Sequence, residues 1–296
     1  MKKEDFPIVG IGASAGGLEA LQELISAIPK GTHMAFVVIQ HFDPTHARAT
    51  AEILARATKM PVSAIKNNLR VEPRHVYVIQ PNTVVTLSSG VLKSSVRPKL
   101  HPEPPDAIDI FFKSLADDQK ERAIGIILSG TGSDGTSGIR AIKGTGGIAI
   151  AQEPKSAASA GMPQSAVSSG VIDIVAPPRD IAHELARMSS RLQTRDLFFE
   201  TLSHELRTPL NSILLWAQMI RRGMANPEQV KRAAEMIEQS AKAQEKLIDD
   251  LLDVSRIMSG KLSLEKVDVE LRTVVQKALE SIRPATKLRF KYPAQG

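Results

Sequence analysis

The stretch that most constrains this chain is Pro7–Gly17, with the sequence PIVGIGASAGG. An apolar run over Ile8–Ile11 is followed by small residues and two glycines, after which Leu18–Ile28 has helical character. This order predicts a strand, a tight turn and a helix, with Ser14 in the turn. Such a junction places the hydroxyl of Ser14 at a sheet edge, close to the amides of a helix N-terminus.

Three interpretations of this turn are open. Residues 12–16 fit the G-x-S-x-G pattern, in which small neighbours let a strained Ser14 protrude as a nucleophile. The pair Gly10-x-Gly12 resembles a dinucleotide-binding fingerprint, but the third glycine comes one residue too late, and Gln40 stands where an acidic residue is expected. The third interpretation is a glycine-rich turn without chemistry.

Length and composition narrow the class of protein. At 296 residues the chain is long enough for two domains, and an apolar fraction of 42% supports a buried core. Cysteine is absent, the N-terminus does not resemble a signal peptide, and no apolar run approaches a bilayer-spanning length, so we expect a cytoplasmic protein without membrane insertion. The net charge of +6 and the 4% aromatic content do not favour nucleic-acid binding.

Strand and helix patterns alternate over the first 178 residues. We predict a mostly parallel, doubly wound α/β sheet with an inserted hairpin, because buried apolar runs alternate with amphipathic segments. The predicted strands after the first are 35–40, 75–80, 123–128, 147–151 and 171–175; the hairpin is 83–87 with 91–96; the helices are 48–58, 106–116, 139–143 and 161–169.

A serine, a histidine and an aspartate, the residue types of a catalytic triad, stand at the ends of three predicted strands. Ser14 follows the first strand, His41 ends the second, and Asp134 lies in the glycine-rich loop after 123–128. The carboxyl ends of strands in a doubly wound sheet line one crevice, so the three side chains can form a nucleophile, a general base and an orienting acid. His46 is a rival base, and no cluster of side chains has metal-ligand spacing.

Four short motifs together resemble the catalytic domain of the CheB family of protein-glutamate methylesterases. They are Gly12-Ala-Ser14-x-Gly-Gly, Gln40-His41-x-x-Pro44, Ser129-Gly-x-Gly132-Ser-Asp134-Gly135 and Gly161-Met-Pro163. The resemblance implies hydrolysis of glutamyl methyl esters, and deamidation of glutamines, on a chemoreceptor-like protein, without a cofactor. It assigns Ser14 as the nucleophile, His41 as the base and Asp134 as the acid, with oxyanion donors from the 129–135 loop and the turn at Ser14.

The sequence departs from this family at two positions and at its start. Ala15 stands where members often carry a hydroxyl, and Thr131 where they often carry Met, so we expect altered efficiency or specificity. The family's N-terminal receiver domain does not precede the esterase motifs, so we expect no gating by phosphorylation in cis.

Two long helical patterns follow Pro177-Pro178. The first continues to Arg222, and Gly223 suits a helix C-terminus. Asn226-Pro227 then predicts the N-cap of a second helix, whose heptad seam ends near Gly260. A hairpin of two helices leaves part of its apolar surface uncovered, so we predict a homodimer that forms a four-helix bundle.

The first of these helices carries His204-Glu-Leu-Arg-Thr-Pro-Leu, with His204 predicted on the solvent face. This resembles the dimerisation and phosphoacceptor domain of sensor histidine kinases. The resemblance implies phosphorylation of His204, support from Glu205 as acid or base and from Thr208 in dephosphorylation, and a response-regulator receiver as partner. ATP and Mg²⁺ would act only through a kinase domain in trans, because residues 261–296 lack ATP-site motifs.

The predicted organisation is therefore a methylesterase domain over 1–178, a helical linker over 179–194, a phosphoacceptor hairpin over 195–260 and a lead-in to an ATP-binding domain over 261–296. The predicted function is methylester hydrolysis in a two-component pathway. The alternatives are a phosphorelay or docking module whose esterase fold only binds partners, and a truncated hybrid histidine kinase.

Overall fold

A computed structural model describes residues 6–40, 47–96, 106–223, 226–258 and 271–275. The chain divides into two compact units, Met1–Phe199 and Glu200–Gly296, which we call the α/β unit and the helical unit. Among the described helices, none is both long and apolar enough to cross a bilayer.

The α/β unit is built on a parallel sheet of seven strands in the order β10-β9-β8-β1-β2-β5-β3. These strands are β1 (Ile8–Ala13), β2 (Ala35–Gln40), β3 (Val62–Ala64), β5 (Val76–Val78), β8 (Ala123–Ile127), β9 (Ile148–Gln152) and β10 (Ile174–Ala176). The predicted parallel α/β class is confirmed. The short edge strand β3 was not predicted, because three residues carry too little pattern.

Helices cover both faces of this sheet, as a doubly wound fold requires. They are α1 (Gly17–Ala27), α2 (Ala47–Ala57), α3 (Ala107–Gln119), α4 (Thr136–Gly144), α5 (Gly161–Ser168) and the start of α6 (Pro178–Arg221). Leu21, Leu54 and Leu185 place α1, α2 and α6 in one core cluster. Phe111 and Ile139 belong to a second cluster, which contains residues of α3, α4 and α5.

The two glycines that suggested a dinucleotide site lie within β1, where they make room for α3. A Cβ added at Gly10 would come within 2.9 Å of the side chains of Phe112 and Leu115. A Cβ added at Gly12 would come within 2.5 Å of Ile108. These distances are too short for real contacts, so both glycines are explained by close packing of strand and helix.

The predicted hairpin forms, but it belongs to a separate sheet. Strands β6 (Thr83–Ser88) and β7 (Val91–Val96) pair antiparallel, and β4 (Leu69–Arg70) joins β7 on its other side. Side chains of α3 hold this sheet in place: the Ser114 hydroxyl accepts a hydrogen bond from the amide of Leu87 over 2.9 Å.

The described part of the helical unit contains the second half of α6, α7 (Pro227–Met258) and a short helical stretch over residues 271–275. Gly223 adopts a left-handed conformation with φ of 65°, as expected of a residue that ends a helix. The Gln229 amide donates to the Asn226 side chain over 2.8 Å, and the Asn226 amide donates to the Gln229 side chain over 2.9 Å. This reciprocal capping confirms the predicted start of α7.

The apolar spacing of α6 predicts a covered stripe through Leu202, Leu206, Leu210, Ile213 and Ala217, and the structure differs from it in part. Leu202, Leu206 and Ile213 are half-buried as expected, but Leu210 is 51% exposed and Ala217 is exposed as well. The covered positions instead run through Pro209, since steps of four and three residues (202, 206, 209, 213, 216) keep to one face of a helix. Leu210 therefore belongs to a second apolar stripe beside the first.

Candidate functional sites

The first candidate site lies where the winding of the sheet reverses. β1 is paired with β2 on one side and with β8 on the other. The chain leaves β1 for α1 on one face of the sheet and leaves β8 for α4 on the opposite face. Open α/β sheets bind ligands at the carboxyl ends of the strands at such a point. Ser14 follows β1 there, and the loop 129–135 follows β8.

Main-chain hydrogen bonds fix the turn that carries Ser14. Its amide donates to the carbonyl of Ser129 over 2.9 Å, and its own carbonyl accepts from Gly17 over 2.9 Å. The left-handed residue of the turn is Gly16, with φ of 68°, where a Cβ would come within 2.6 Å of Ala158. Ser14 is not among the described non-glycine residues with positive φ, so the strained serine of the G-x-S-x-G interpretation is not observed. Gly16 provides the left-handed conformation of the turn instead, which glycine adopts without strain.

Ser129 connects the turn at Ser14 with two neighbouring loops. Its buried hydroxyl donates to the carbonyl of Ala15 over 3.0 Å and accepts from the amide of Ser159 over 2.9 Å. The Gln152 side chain accepts from the Ser129 amide over 2.8 Å and donates to the Ser156 carbonyl over 3.1 Å. Gln152 was not predicted as a site residue, although a polar residue at the end of a buried strand is a usable signal in the sequence.

Asp134 is anchored at the N-terminus of α3. The amide of Ile108 donates to Oδ2 of Asp134 over 3.1 Å, and the amide of Asp109 donates to Oδ1 over 3.0 Å. The first amides of a helix lack partners within it, so they stabilise a carboxylate. Ile108 also lies against Gly12, two residues before Ser14. The fold thus brings Asp134 and the turn at Ser14 to the same edge of the sheet.

The predicted base and its rival, His41 and His46, lie outside the described residues. Ala15 and Thr131 are exposed at the crevice, beside half-buried Ser14. No three metal-ligating side chains cluster anywhere in the part of the chain that the structure describes.

Asp109 is a second acid that sequence analysis missed. It is 7% exposed, and its Oδ1 accepts a hydrogen bond from the amide of Gly138 over 2.6 Å. Burial raises the pKa of Asp109; the bond from Gly138 opposes this shift and the nearby Asp134 carboxylate adds to it. The signal in the sequence was an acid within the apolar face of a helix, next to Ile108.

The second candidate site is His204 in the helical unit. His204, Glu205 and Thr208 are all exposed, as their predicted positions on α6 require. The Thr208 hydroxyl donates to the carbonyl of His204 over 3.2 Å. Pro209, inside α6, has no amide to donate to the carbonyl of Glu205. A histidine held on an exposed helical face beside an acid can accept a group from a partner that docks there.

Comparisons with known families match both units. The family model described as CheB methylesterase matches residues 9–185, and the model described as His Kinase A (phospho-acceptor) domain matches residues 194–260. Among solved structures, the Thermotoga maritima CheB methylesterase catalytic domain aligns with a TM-score of 0.57 and 28% identity, covering 62% of this chain and 98% of that one.

Curated relatives match a shorter segment. A protein named protein-glutamate methylesterase/protein-glutamine glutaminase 2 from Burkholderia lata is 38% identical over 137 residues, which is 46% of this chain and 40% of that protein. The protein named protein-glutamate methylesterase/protein-glutamine glutaminase 3 from Pseudomonas aeruginosa is 33% identical over 137 residues, which is 46% of this chain and 41% of that protein. The chain thus spans about two fifths of the length of these relatives.

Proposed function

This chain belongs to the CheB methylesterase family, whose model matches more than half of it, and from that premise we propose that it hydrolyses methyl esters of protein glutamyl side chains. The observation that carries the proposal is the position of Ser14, half-buried at the winding reversal of the sheet, with Asp134 held at the same edge. The substrate class is a methylated chemoreceptor-like protein, and we place the reaction in the cytoplasm.

The proposed chemistry is a serine-type acyl transfer without a cofactor. Oγ of Ser14 attacks the ester carbonyl carbon, and His41 takes the hydroxyl proton. The bond from that carbon to the methoxy oxygen then breaks, and His41 returns the proton so that methanol leaves. Water attacks the acyl-enzyme by the same route and releases a free glutamyl carboxylate. Asp134 holds the imidazole of His41 in the required tautomer. A glutamine side chain would lose ammonia in the same two steps.

Amides that are not already engaged must stabilise the oxyanion. The amides of Ser14, Ser129 and Gly130 donate to Ser129, Gln152 and Ser159 respectively. We therefore propose the amides of the exposed residues Ala15 and Thr131 as oxyanion donors. Ala15 and Thr131 replace the side chains that family members often carry at these positions. A main-chain amide can still donate to the oxyanion there, because its hydrogen bond does not depend on the side chain.

Methanol release from a methylated receptor fragment tests this function. We expect Ser14→Ala to lower kcat by on the order of 10³-fold or more, since it removes the covalent route. Ser26→Ala is the matched control, because Ser26 is an exposed serine on α1 whose hydroxyl donates to the nearby carbonyl of Glu23. A wild-type chain that binds the fragment but releases no methanol would instead support the docking module.

For the helical unit we propose a phosphoacceptor function at His204 within a homodimer. The match of residues 194–260 and the exposure of His204 support the first part. The second apolar stripe supports the dimer, because Leu210 and Leu214 are 51% and 55% exposed on α6, and Ile248 and Leu252 are 45% and 49% exposed on α7. The proposed partners are a kinase domain in trans, which would supply ATP and Mg²⁺, and a response-regulator receiver.

Radiolabelled ATP distinguishes this proposal from an autonomous or truncated hybrid kinase. We expect no label on the purified chain alone, label when a partner kinase or a phosphorylated receiver is added, and no label on His204→Gln. The control is His183→Gln, a histidine at the start of α6. Label without any partner would show that the chain carries its own ATP site. We expect Thr208→Ala to slow removal of the label, and Glu205→Gln to slow its arrival.

A further inference from the structure

We infer that Asp109 is a positioning residue for the hydrolysis, an inference that rests on the proposed function of Ser14 and Asp134. Its carboxylate holds the first turn of α4 against α3 and so fixes the loop that presents Asp134. The two helices bind each other's neighbouring carboxylates reciprocally. Asp134, two residues before α4, binds the first amides of α3, and Asp109, in the first turn of α3, binds the Gly138 amide in the first turn of α4.

These bonds form a closed loop between two helix N-termini. The Asp109 amide donates to Asp134 over 3.0 Å, while the Asp109 carboxylate accepts from Gly138 over 2.6 Å. Movement of α4 away from α3 would break both, because Asp134 and Gly138 are only four residues apart. The position of the Asp134 carboxylate thus depends on the bond that Asp109 makes.

The packing around this loop requires Gly138. A Cβ there would come within 2.5 Å of Phe112 and 3.0 Å of the Asp109 Cα. The helices therefore approach closely enough for an aspartate side chain to bridge them.

Burial of Asp109 has an energetic cost that a bonding partner must offset. The side chain is 7% exposed among the core residues Ile108 and Phe112, and burial raises its pKa. The bond from the Gly138 amide opposes that shift, so the carboxylate is stabilised by its contact with the N-terminus of α4. This contact holds Gly138 and, through it, the loop of Asp134.

The test compares three variants of the full chain in methyl ester hydrolysis. We expect Asp109→Ala to lower kcat by about 10–100-fold with KM changed less than about twofold, because a small misplacement of a catalytic group has effects of that order. Asp109→Asn can still accept the bond from Gly138, so we expect kcat within about threefold of wild type. Asp106→Ala is the matched control, an exposed aspartate at the N-cap of α3 without a side-chain capping bond.

A double variant separates positioning from general destabilisation. If Asp109 acts through Asp134, Asp109→Ala should lower kcat by less than about twofold in a chain that already carries Asp134→Asn. An equal loss of kcat in the wild type and in the Asp134→Asn chain would overturn the inference. A normal kcat of the Asp109→Ala chain would overturn it too, as would a folded Asp109→Asn chain whose kcat is as low as that of the alanine variant. Asp109→Ser, which is too short to reach Gly138, provides the same comparison if Asp109→Ala does not fold.

Amide hydrogen exchange keeps this inference distinct from the proposed function. We expect the amides of Ile108 and Asp109 to exchange faster in Asp109→Ala than in Asp106→Ala, whether or not the wild-type chain hydrolyses an ester. A wild-type chain without hydrolysis would contradict the proposed function, and unchanged exchange would contradict the positioning role of Asp109.

Discussion

The two units of this chain bury their apolar residues to very different extents. In the α/β unit, large side chains such as Phe36, Phe111 and Leu24 are fully buried on the two faces of one sheet. From residue 200 onwards, Ala233 and Ser240 are the buried residues among those whose burial is described. Large apolar side chains of the helical unit, Leu214 among them, remain about half exposed.

The difference shows that one unit completes its core by itself and the other does not. Seven strands with helices on both faces leave little apolar surface uncovered. Two antiparallel helices can cover only one stripe of each other, and the second stripe remains available for a further copy. Stability of the first unit should therefore be independent of protein concentration, whereas stability of the second should rise with it.

The largest expected effect is on the core of the α/β unit. Phe112→Ala should lower the free energy of unfolding of this unit by about 3–5 kcal/mol, because Phe112 is fully buried against Gly10 and Gly138. Hydrogen exchange of the β1 and β8 amides measures this free energy of unfolding. The control Val96→Ala, at a side chain 80% exposed, should change it by less than about 0.5 kcal/mol. A similar loss in the control would contradict the described core.

An intermediate effect is expected at the second stripe of the helical unit. Leu214→Glu should weaken the proposed dimer by at least about tenfold in Kd, since dimerisation would bury the new charge. Light scattering over a range of concentrations measures the change, and Val96→Glu is the matched control because it adds the same charge at an exposed apolar residue of the other unit. A wild-type chain that is monomeric at micromolar concentration would contradict the dimer.

The smallest expected effect is at the start of α7. Asn226→Ala removes the side-chain acceptor of the Gln229 amide and should cost the helical unit about 0.5–2 kcal/mol. Trp216, the only tryptophan in the sequence, lies half-buried on α6, so its fluorescence reports on this unit specifically. If Asn226→Ala lowered the hydrogen-exchange stability of the β1 amides by the same amount, the two units would not unfold independently, contrary to our expectation.

The sequence predicted those features that depend on neighbouring residues. The strand, turn and helix around Ser14, the parallel sheet and the capping of α7 by Asn226 are local patterns of apolar spacing and turn residues. The choice between interpretations of Gly10 and Gly12 needed the position of α3, which lies about a hundred residues further along the chain.

Contacts between distant residues explain what the sequence did not predict. Gln152 bonds the amide of Ser129 across 23 positions, and Asp109 bonds Gly138 across 29. Neither pairing follows from periodicity, because it depends on the register of β9 beside β8 and on the approach of α3 to α4. The exposure of Leu210 was missed for a related reason: two stripes of similar apolar character lie one residue apart on α6.

The hydrogen bonds that shape the turn at Ser14 involve only its main-chain atoms. The identity of the side chain at position 14 therefore has little influence on the architecture around it. A Ser14→Ala chain should keep an intact crevice and retain methylated protein without releasing it as product. Immobilised on a resin, such a chain should act as a substrate trap, with which methylated proteins that bind the proposed site can be isolated and identified by mass spectrometry.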